Sequence, residues 1–398
     1  MSEWELSKFK DRFSVGLRNG LNKPSRVRGS GMRMVNMKEI FGYDFIDDKT
    51  PMELVPVSEK EFESSNLESG DLLFARQSLT EAGAGKVAIF QGGKPTVFES
   101  HLIRCRINKQ KSNPNFLYYL FKSPLGKGAV STIVHQVAAA GIKGSDLQEL
   151  EFQFPKLEEQ KAISSVLSSL DDKIDLLHSQ NSTLERMAET LFRQWFVEEA
   201  LDSNIAQFIE LQSGYAFKSN DFKDNGIHRV LKIKNISGGI IDVKNTDFLD
   251  TTVPNKTDEK FKVMAGDVLF AMTGAEIGKL GIVPKTNEPL WLNQRVGLLK
   301  EKYQGARFLA YLQLNSDFGQ DYIENSATGS AQPNISGGLI EQCPFPKVEA
   351  NRIKECAEIL NVYYQKLISN LGQIQTIEQL RDTLLPKLMS GEIRISYD

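Results

Sequence analysis

Five consecutive residues, Arg76-Gln77-Ser78-Leu79-Thr80, follow the apolar run Leu72-Leu73-Phe74-Ala75. Their types suit the reading of base edges. Arginine matches the paired acceptors of guanine, glutamine the donor–acceptor pair of adenine, and a hydroxyl serves either. A second loop, Met272-Thr273-Gly274-Ala275-Glu276, stands in the same relation to the run Val268-Leu269-Phe270-Ala271. Two more loop pairs differ in the same way. Glu99-Ser100-His101 stands opposite Asn293-Gln294-Arg295, and the stretch around Val134-His135-Gln136 stands opposite Ser326–Asn334, with Thr328, Ser330 and Gln332. Any one of these residues is more often an ordinary turn former. The weight lies in several loops differing between otherwise matching segments.

Cations that could hold phosphates gather near the start. Lys8, Lys10, Arg12, Arg18, Lys23, Arg26, Arg28, Arg33 and Lys38 form a run in which Asp11 is the one acid between Leu6 and Lys38. Of these, Arg26, Arg28, Arg33 and Lys38 are taken as candidate phosphate contacts. In the second half the candidates are Tyr215, Lys218, Lys232 and Lys234. A solvated surface loop is the plain alternative for any such charge run.

Motifs for bond-making chemistry do not assemble. Gly85-Lys86 looks like the end of a phosphate-binding loop, but Thr80 stands where the first glycine belongs and Val87 where a hydroxyl belongs. Asn113-Pro114-Asn115-Phe116 lacks the second proline of an amino-methyltransferase motif and reads as a helix start. Asp258-Glu259-Lys260 has no Pro-Asp before it to make a nuclease motif. His101, His135, His178 and His228 have no metal-ligand spacing, and Cys105, Cys343 and Cys356 form no CxxC pair. The expectation is a chain with no catalytic centre, metal or cofactor of its own, in a reduced, cytoplasmic setting. Neither a membrane span nor a secretory signal is expected.

The elements that must position these loops occur twice. Arg33–Ile40 matches Arg229–Ile236 at an offset of 196, as does Gly70–Ala75 with Gly266–Ala271. Gly85–Ile89 matches Gly278–Ile282, Phe116–Leu120 matches Phe308–Leu312, and Phe154-Pro155-Lys156 matches Phe345-Pro346-Lys347. Strands are predicted at Val87–Phe90, Val97-Phe98 and Leu102–Ile107, the last half-buried, and short helices over 115–123 and 306–315. Each half therefore begins with a mixed α/β or α+β head of about 150 residues.

After each Phe-Pro-Lys comes a heptad pattern. The first seam runs through Ile163, Leu167, Leu170, Ile174, Leu177, Asn181, Leu184, Ala188, Leu191 and Trp195. The second runs through Cys356, Leu360, Tyr363, Leu367, Asn370, Ile374, Ile377, Arg381, Leu384 and Leu388. Each helix spans about 40 residues, and an apolar stripe so long must be buried, most naturally on the other helix. The order is head (1–157), long helix (158–200), head (201–348), long helix (349–394). With 398 residues, 40% of them hydrophobic, two to three soluble domains are expected. A net charge of −3 does not by itself announce nucleic acid, but residues 1–157 carry 22 basic residues against 18 acidic, which places the excess on the first head.

Several segments resemble a known family. Gly214-Tyr215-Ala216-Phe217-Lys218, Gly266–Phe270, Phe345-Pro346-Lys347 and Leu380-Arg381-Asp382-Thr383-Leu384-Leu385-Pro386-Lys387-Leu388 resemble the second half of type I restriction–modification specificity subunits. Leu191–Val197 resembles the end of their central helical region, and the resemblance covers essentially the whole chain. It implies an α+β fold: two target-recognition domains in tandem repeat, separated by two long helices that form an antiparallel coiled coil with pseudo-twofold symmetry. It implies duplex DNA as ligand, read as a bipartite asymmetric site. It also implies two methyltransferase and two restriction subunits as partners, which would carry S-adenosylmethionine, ATP and Mg. The first head departs from the pattern: its counterpart of Gly-Tyr-Ala-Phe is read as Ser14–Gly20. A protein-interaction scaffold with two similar heads is the competing reading.

Overall fold

The computed structural model describes residues 4–80, 83–136, 140–196, 199–329 and 333–395. The chain divides into two compact units, residues 1–172 with 379–398, and residues 173–378. Each unit contains one head and a length of both long helices.

The first head is built on a five-stranded sheet in the order Arg18–Asn19, Leu102–Cys105, Leu72–Ala75, Val87–Phe90, Phe45–Ile46. Beside it lies a three-stranded sheet, Glu53–Val55, Met32–Val35, Thr96–Phe98. Leu72–Ala75 and Val87–Phe90 are buried on both faces, which is why their sequences are continuous apolar runs rather than alternations. Leu102–Cys105 is also buried throughout, not half-buried as its alternation predicts. Arg104 makes this possible: its guanidinium donates to the Asn66 carbonyl at 2.8 Å and lies over the Phe98 ring.

The second head repeats the plan. Its main sheet runs Ile209–Ser213, Val296–Glu301, Val268–Ala271, Leu280–Ile282, Gly239–Ile241, Ile236–Ser237. The parallel pair Met32–Val35 with Thr96–Phe98 has its equivalent in Arg229–Leu231 with Leu290–Leu292. The shared Gly-Asp has one role in both heads. Gly70 and Gly266 turn at φ +98° and +81°, a conformation open to glycine. The aspartate that follows closes the turn, accepting the Glu68 amide at 2.8 Å in one head and the Met264 amide at 2.7 Å in the other. Each aspartate is buried and needs a cation. Arg106 serves Asp71 at 2.9 Å and Arg307 serves Asp267 at 2.8 Å. Burial pushes the Asp267 carboxyl up despite Arg307.

The long helices are Leu157–Phe196 and Ala350–Ser390. Glu158 and Glu159 favour the start of the first through the helix dipole. In each unit the helices pair antiparallel. In one, Asp171 meets Arg381 at 2.8 Å and Glu159 meets Arg394. In the other, Asn370 donates to Asn181 at 2.8 Å and Arg352 meets Glu199 at 3.5 Å. Leu167, Ile174, Leu177, Leu360, Leu367 and Ile374 are buried, while Leu170, Leu184, Ile377 and Leu384 are partly so. The stripe serves more than the partner helix. Tyr364 stacks on Phe308 with centroids 4.8 Å apart and donates to the Gly266 carbonyl, and Tyr119 donates to Asp171 at 2.7 Å. Each helix is thus held by the other helix and by a head.

Candidate nucleic-acid interface

The loops that carry the candidate base-reading side chains converge, and backbone bonds hold them together. In the first head the strand Leu72–Ala75 runs into Arg76, whose amide donates to the His101 carbonyl at 2.8 Å. The Arg76 carbonyl accepts the Ile142 amide at 2.9 Å. Gln77-Ser78 pairs with Ala140-Gly141, which pairs in turn with His135-Gln136. Arg76, Gln77, Ser78, His101 and Gln136 therefore belong to one cluster, although they lie up to 60 positions apart.

The second head makes the same bonds with other residues. The Met272 amide donates to the Arg295 carbonyl at 3.1 Å, and the Met272 carbonyl accepts the Ile335 amide at 3.0 Å. Thr273 and Thr328 both bridge to Asn334. The Gln294 amide donates to the Tyr215 carbonyl at 2.9 Å. Position for position, Arg76 stands where Met272 stands, Gln77 where Thr273 stands, and His101 where Arg295 stands. One backbone frame carries two sets of side chains.

This frame also corrects the alignment at the start of the heads. The Leu21 amide donates to the Phe98 carbonyl and its carbonyl accepts from Ser100; Tyr215 makes the equivalent bonds to Leu292 and Gln294. Gly20-Leu21, not Ser14–Gly20 as a whole, is thus the counterpart of Gly214-Tyr215. A Cβ on Gly20 would strike the Phe98 carbonyl, and one on Gly214 the Asn293 carbonyl, so both positions need glycine. The sequence held this signal at an offset of 194, where Ser25 also meets Ser219.

The description "Type I restriction modification DNA specificity domain" fits residues 1–186 and again residues 198–379. The chain belongs to this family. DNA recognition is the role general to it. Among relatives, the type I restriction enzyme MjaVIII specificity subunit of Methanocaldococcus jannaschii is 24% identical, over 93% of this chain and 90% of its own. The MjaIX specificity subunit of the same organism is 24% identical, over 99% and 94%. The S subunit of a type I system from M. genitalium shares the fold, with a TM-score of 0.60 at 17% identity, over 97% of this chain and 96% of its own.

Some of the candidate side chains are open to solvent and others are already engaged within the chain. Arg26, on the turn Ser25–Val27, and Lys38, on the short helix Met37–Gly42, are exposed and have no ion pair among the described residues. Arg76, Gln77, His101, Lys218, Gln294, Arg295 and Thr328 are exposed, and Ser78 partly so. Tyr215 is 38% exposed, its ring held against Phe217 and Phe261. Arg18, a member of the basic run outside its four candidate phosphate contacts, is exposed at the sheet edge and belongs with them. Ser330 and Gln332 lie outside the described residues, and of Gln136 the strand position alone is described.

Five candidates are engaged in the scaffold. Arg28 reaches the Lys23 carbonyl, Asn36 and Glu53. Arg33 reaches the Asp47 and Thr50 carbonyls, each at 3.0 Å, and Asp48 at 3.2 Å. Its counterpart Arg229 braces the equivalent turn through Lys244, Thr246 and Glu288. These arginines hold turns instead of tracking phosphates. Lys232 and Lys234 both pair with Asp247. Burial alone would raise the Asp247 carboxyl, but the two lysines outweigh it and hold it below its ordinary range. Thr273 is half-buried and its hydroxyl oxygen is shielded from solvent, so it has no hydroxyl to present to a base. Lys8, Lys10 and Lys23 are likewise paired, with Glu149 and Glu61. The dense basic run reduces to a few available cations.

Proposed function

We propose that the chain reads a split, asymmetric duplex site, one half with each head, and directs the methyltransferase and restriction subunits of a type I complex to it. The observation that carries this reading is the shared backbone frame with unlike side chains. Two binding surfaces of one ancestry have diverged where base edges would be read and kept what holds the loops. Base contacts specify and phosphate contacts position. Arg76, Gln77 and His101 in one head, with Gln294, Arg295 and Thr328 in the other, are assigned the first task. Arg18, Arg26 and Lys38 are assigned the second.

In this reading the long helices set the gap between the half-sites, and the chain makes and breaks no bonds. S-adenosylmethionine, ATP and Mg belong to two methyltransferase and two restriction subunits, in the cytoplasm. Antiparallel pairing of the helices within each unit supports a spacer role. No helix among the described residues is long and apolar enough to cross a membrane.

The test is co-expression with the cognate methyltransferase in a methylation-free host, followed by single-molecule sequencing of adenine methylation. A single motif with two defined halves and a fixed gap is expected. A soluble complex that leaves the genome unmethylated would transfer the weight to the interaction-scaffold reading.

A further inference from the structure

Leu79 is 99% exposed at the tip of the loop that carries Arg76, Gln77 and Ser78. A lone surface leucine is ordinary. This one has company. Phe41, 42% exposed, lies beside the same loop: a Cβ on Gly83 would stand 2.2 Å from the Ser78 hydroxyl and 3.1 Å from the edge of the Phe41 ring. Lys86 holds that phenylalanine, donating to its carbonyl at 2.9 Å with the ammonium 5.3 Å from the ring centroid. Lys38, three residues before Phe41 on the same short helix, is exposed. Arg76, Lys38 and Lys86 have no carboxylate at ion-pair distance among the described residues. The tip is anchored, because Gln77-Ser78 is paired into a three-stranded sheet.

Among the described residues, the second head has no counterpart of this leucine and phenylalanine at the matching positions. At the equivalent positions Leu79 is replaced by Ala275 and Phe41 by Ser237. An apolar tip with three uncompensated cations around it suits a surface that is anionic outside and apolar within, as stacked base pairs between phosphate strands are. Proteins that insert aliphatic or aromatic side chains between base steps use this combination.

The geometry points to Leu79, with Phe41 beside its loop, as a wedge that enters the base stack of the half-site read by the first head and unstacks one step there. The second half-site is read without such insertion. This rests on the reading that the heads bind DNA. It adds that the two half-sites are deformed unequally, so that part of the first head's specificity comes from how readily one step opens.

The experiment uses the chain in complex with its methyltransferase subunits and a duplex carrying the motif found by methylation sequencing. 2-Aminopurine replaces each purine of both half-sites in turn, for the wild type and for Leu79→Ala. Because Leu79 has almost no protein neighbours, the variant should melt at the wild-type temperature. The wild type should brighten at a step of one half-site other than the methylated adenines. Leu79→Ala should lose that signal and bind about tenfold to a hundredfold more weakly, the range of one specific base contact. Leu79→Met should keep both properties. An unchanged signal and affinity in Leu79→Ala would overturn the wedge while leaving the DNA reading intact. So would weaker binding with no brightening in the wild type, which would make Leu79 a groove contact. Absence of any split motif in the wild type would remove the DNA reading, and the wedge with it.

Discussion

The two heads hold their loops with the same backbone bonds, yet the residue at the centre of each differs in kind. Arg76 is exposed and has no ion pair among the described residues, whereas Met272, in the same bonds, is 7% exposed and accepts a hydrogen bond from Ser213. Around Arg76 the first head gathers cations, a leucine and a phenylalanine. Around Met272 the second head places a buried threonine hydroxyl, Arg295 and the aromatic group of Tyr215, Phe217 and Phe261. Position in the frame does not determine what a residue does. A position that is exposed and unpaired in one head supports the core in the other, so contacts cannot be carried from one half to its repeat by alignment alone.

The largest expected effects test whether the frame is common to both. Asp71→Ala and Asp267→Ala each remove a buried carboxylate and strip a partly buried arginine of its main partner. Each should cost about 3–5 kcal/mol in chemical denaturation, toward the lower end because Arg106 keeps Glu68 and Arg307 keeps the Gly266 carbonyl. If one variant is nearly neutral, the heads do not share that support.

Met272→Ala and Arg76→Ala compare one position across the heads. The first removes buried volume and should lower stability by about 2–5 kcal/mol. The second should leave stability unchanged and lose about 1–3 kcal/mol of discrimination at one base position. Equal weakening on all sequences would make Arg76 a phosphate contact. A methylation motif relaxed at one position by Met272→Ala, with stability intact, would break the contrast.

Within the first head, Arg33→Ala should lower stability by about 1–3 kcal/mol through lost hydrogen bonds to two turn carbonyls, as Arg229→Ala should in the second. Arg26→Ala should leave stability alone and reduce the slope of log affinity against log salt by about 1. The opposite pattern would return Arg33 to the interface.

The smallest effect concerns pH. Asp146 is held below its ordinary range by a hydrogen bond from His135, with a further one from Ser145. A depressed carboxylate contributes stability above its unfolded value of about 3.9, and that contribution fades as pH falls through the folded value. Exposure limits it to about a few tenths of a kcal/mol. Amide protection at Ala140 and Gly141, measured against the intrinsic exchange rate at each pH, should fall below pH 4 in wild type but not change in Asp146→Asn. A pH response identical in the two proteins would remove the pair from this account.

The fold was legible in the sequence because its two periods are strong: a 3.5-residue repeat through both long helices, and a 196-residue repeat through the heads. Two of the loop pairs were legible as variable turns after matched strands, but their convergence with the stretches that follow the helices Pro124–Ser131 and Asp317–Ser326 was not. What escaped was pairing. A run of nine cations looks the same whether its partners lie near or far, and the acids that engage Arg28 and Arg33 lie at Glu53 and Asp48. Lys232 and Lys234 look free until Asp247 is folded against them. The match of Leu21 to Tyr215 was hidden because the two stretches share little beyond a glycine and the offset has already drifted by two. Nor does a heptad pattern say that Tyr364 packs on Phe308 of the second head, or that Asp171 receives a hydrogen bond from Tyr119 of the first.

The unit that holds the first head takes its last pieces from the end of the chain. Leu388 and Met389 share a core with Ile163 and Leu167, and Arg394 lies over Trp4 while pairing with Glu159. The unit of residues 173–378 is continuous in the sequence. Domains usually mature in the order in which they leave the ribosome. Here the order is inverted: the first head to be synthesised is the last to be finished, and it waits through translation of the whole second half. A nascent chain stalled short of residue 379 would carry every residue of the second unit but not of the first, and the helix face of Ile163 and Leu167 would lack Leu388 and Met389.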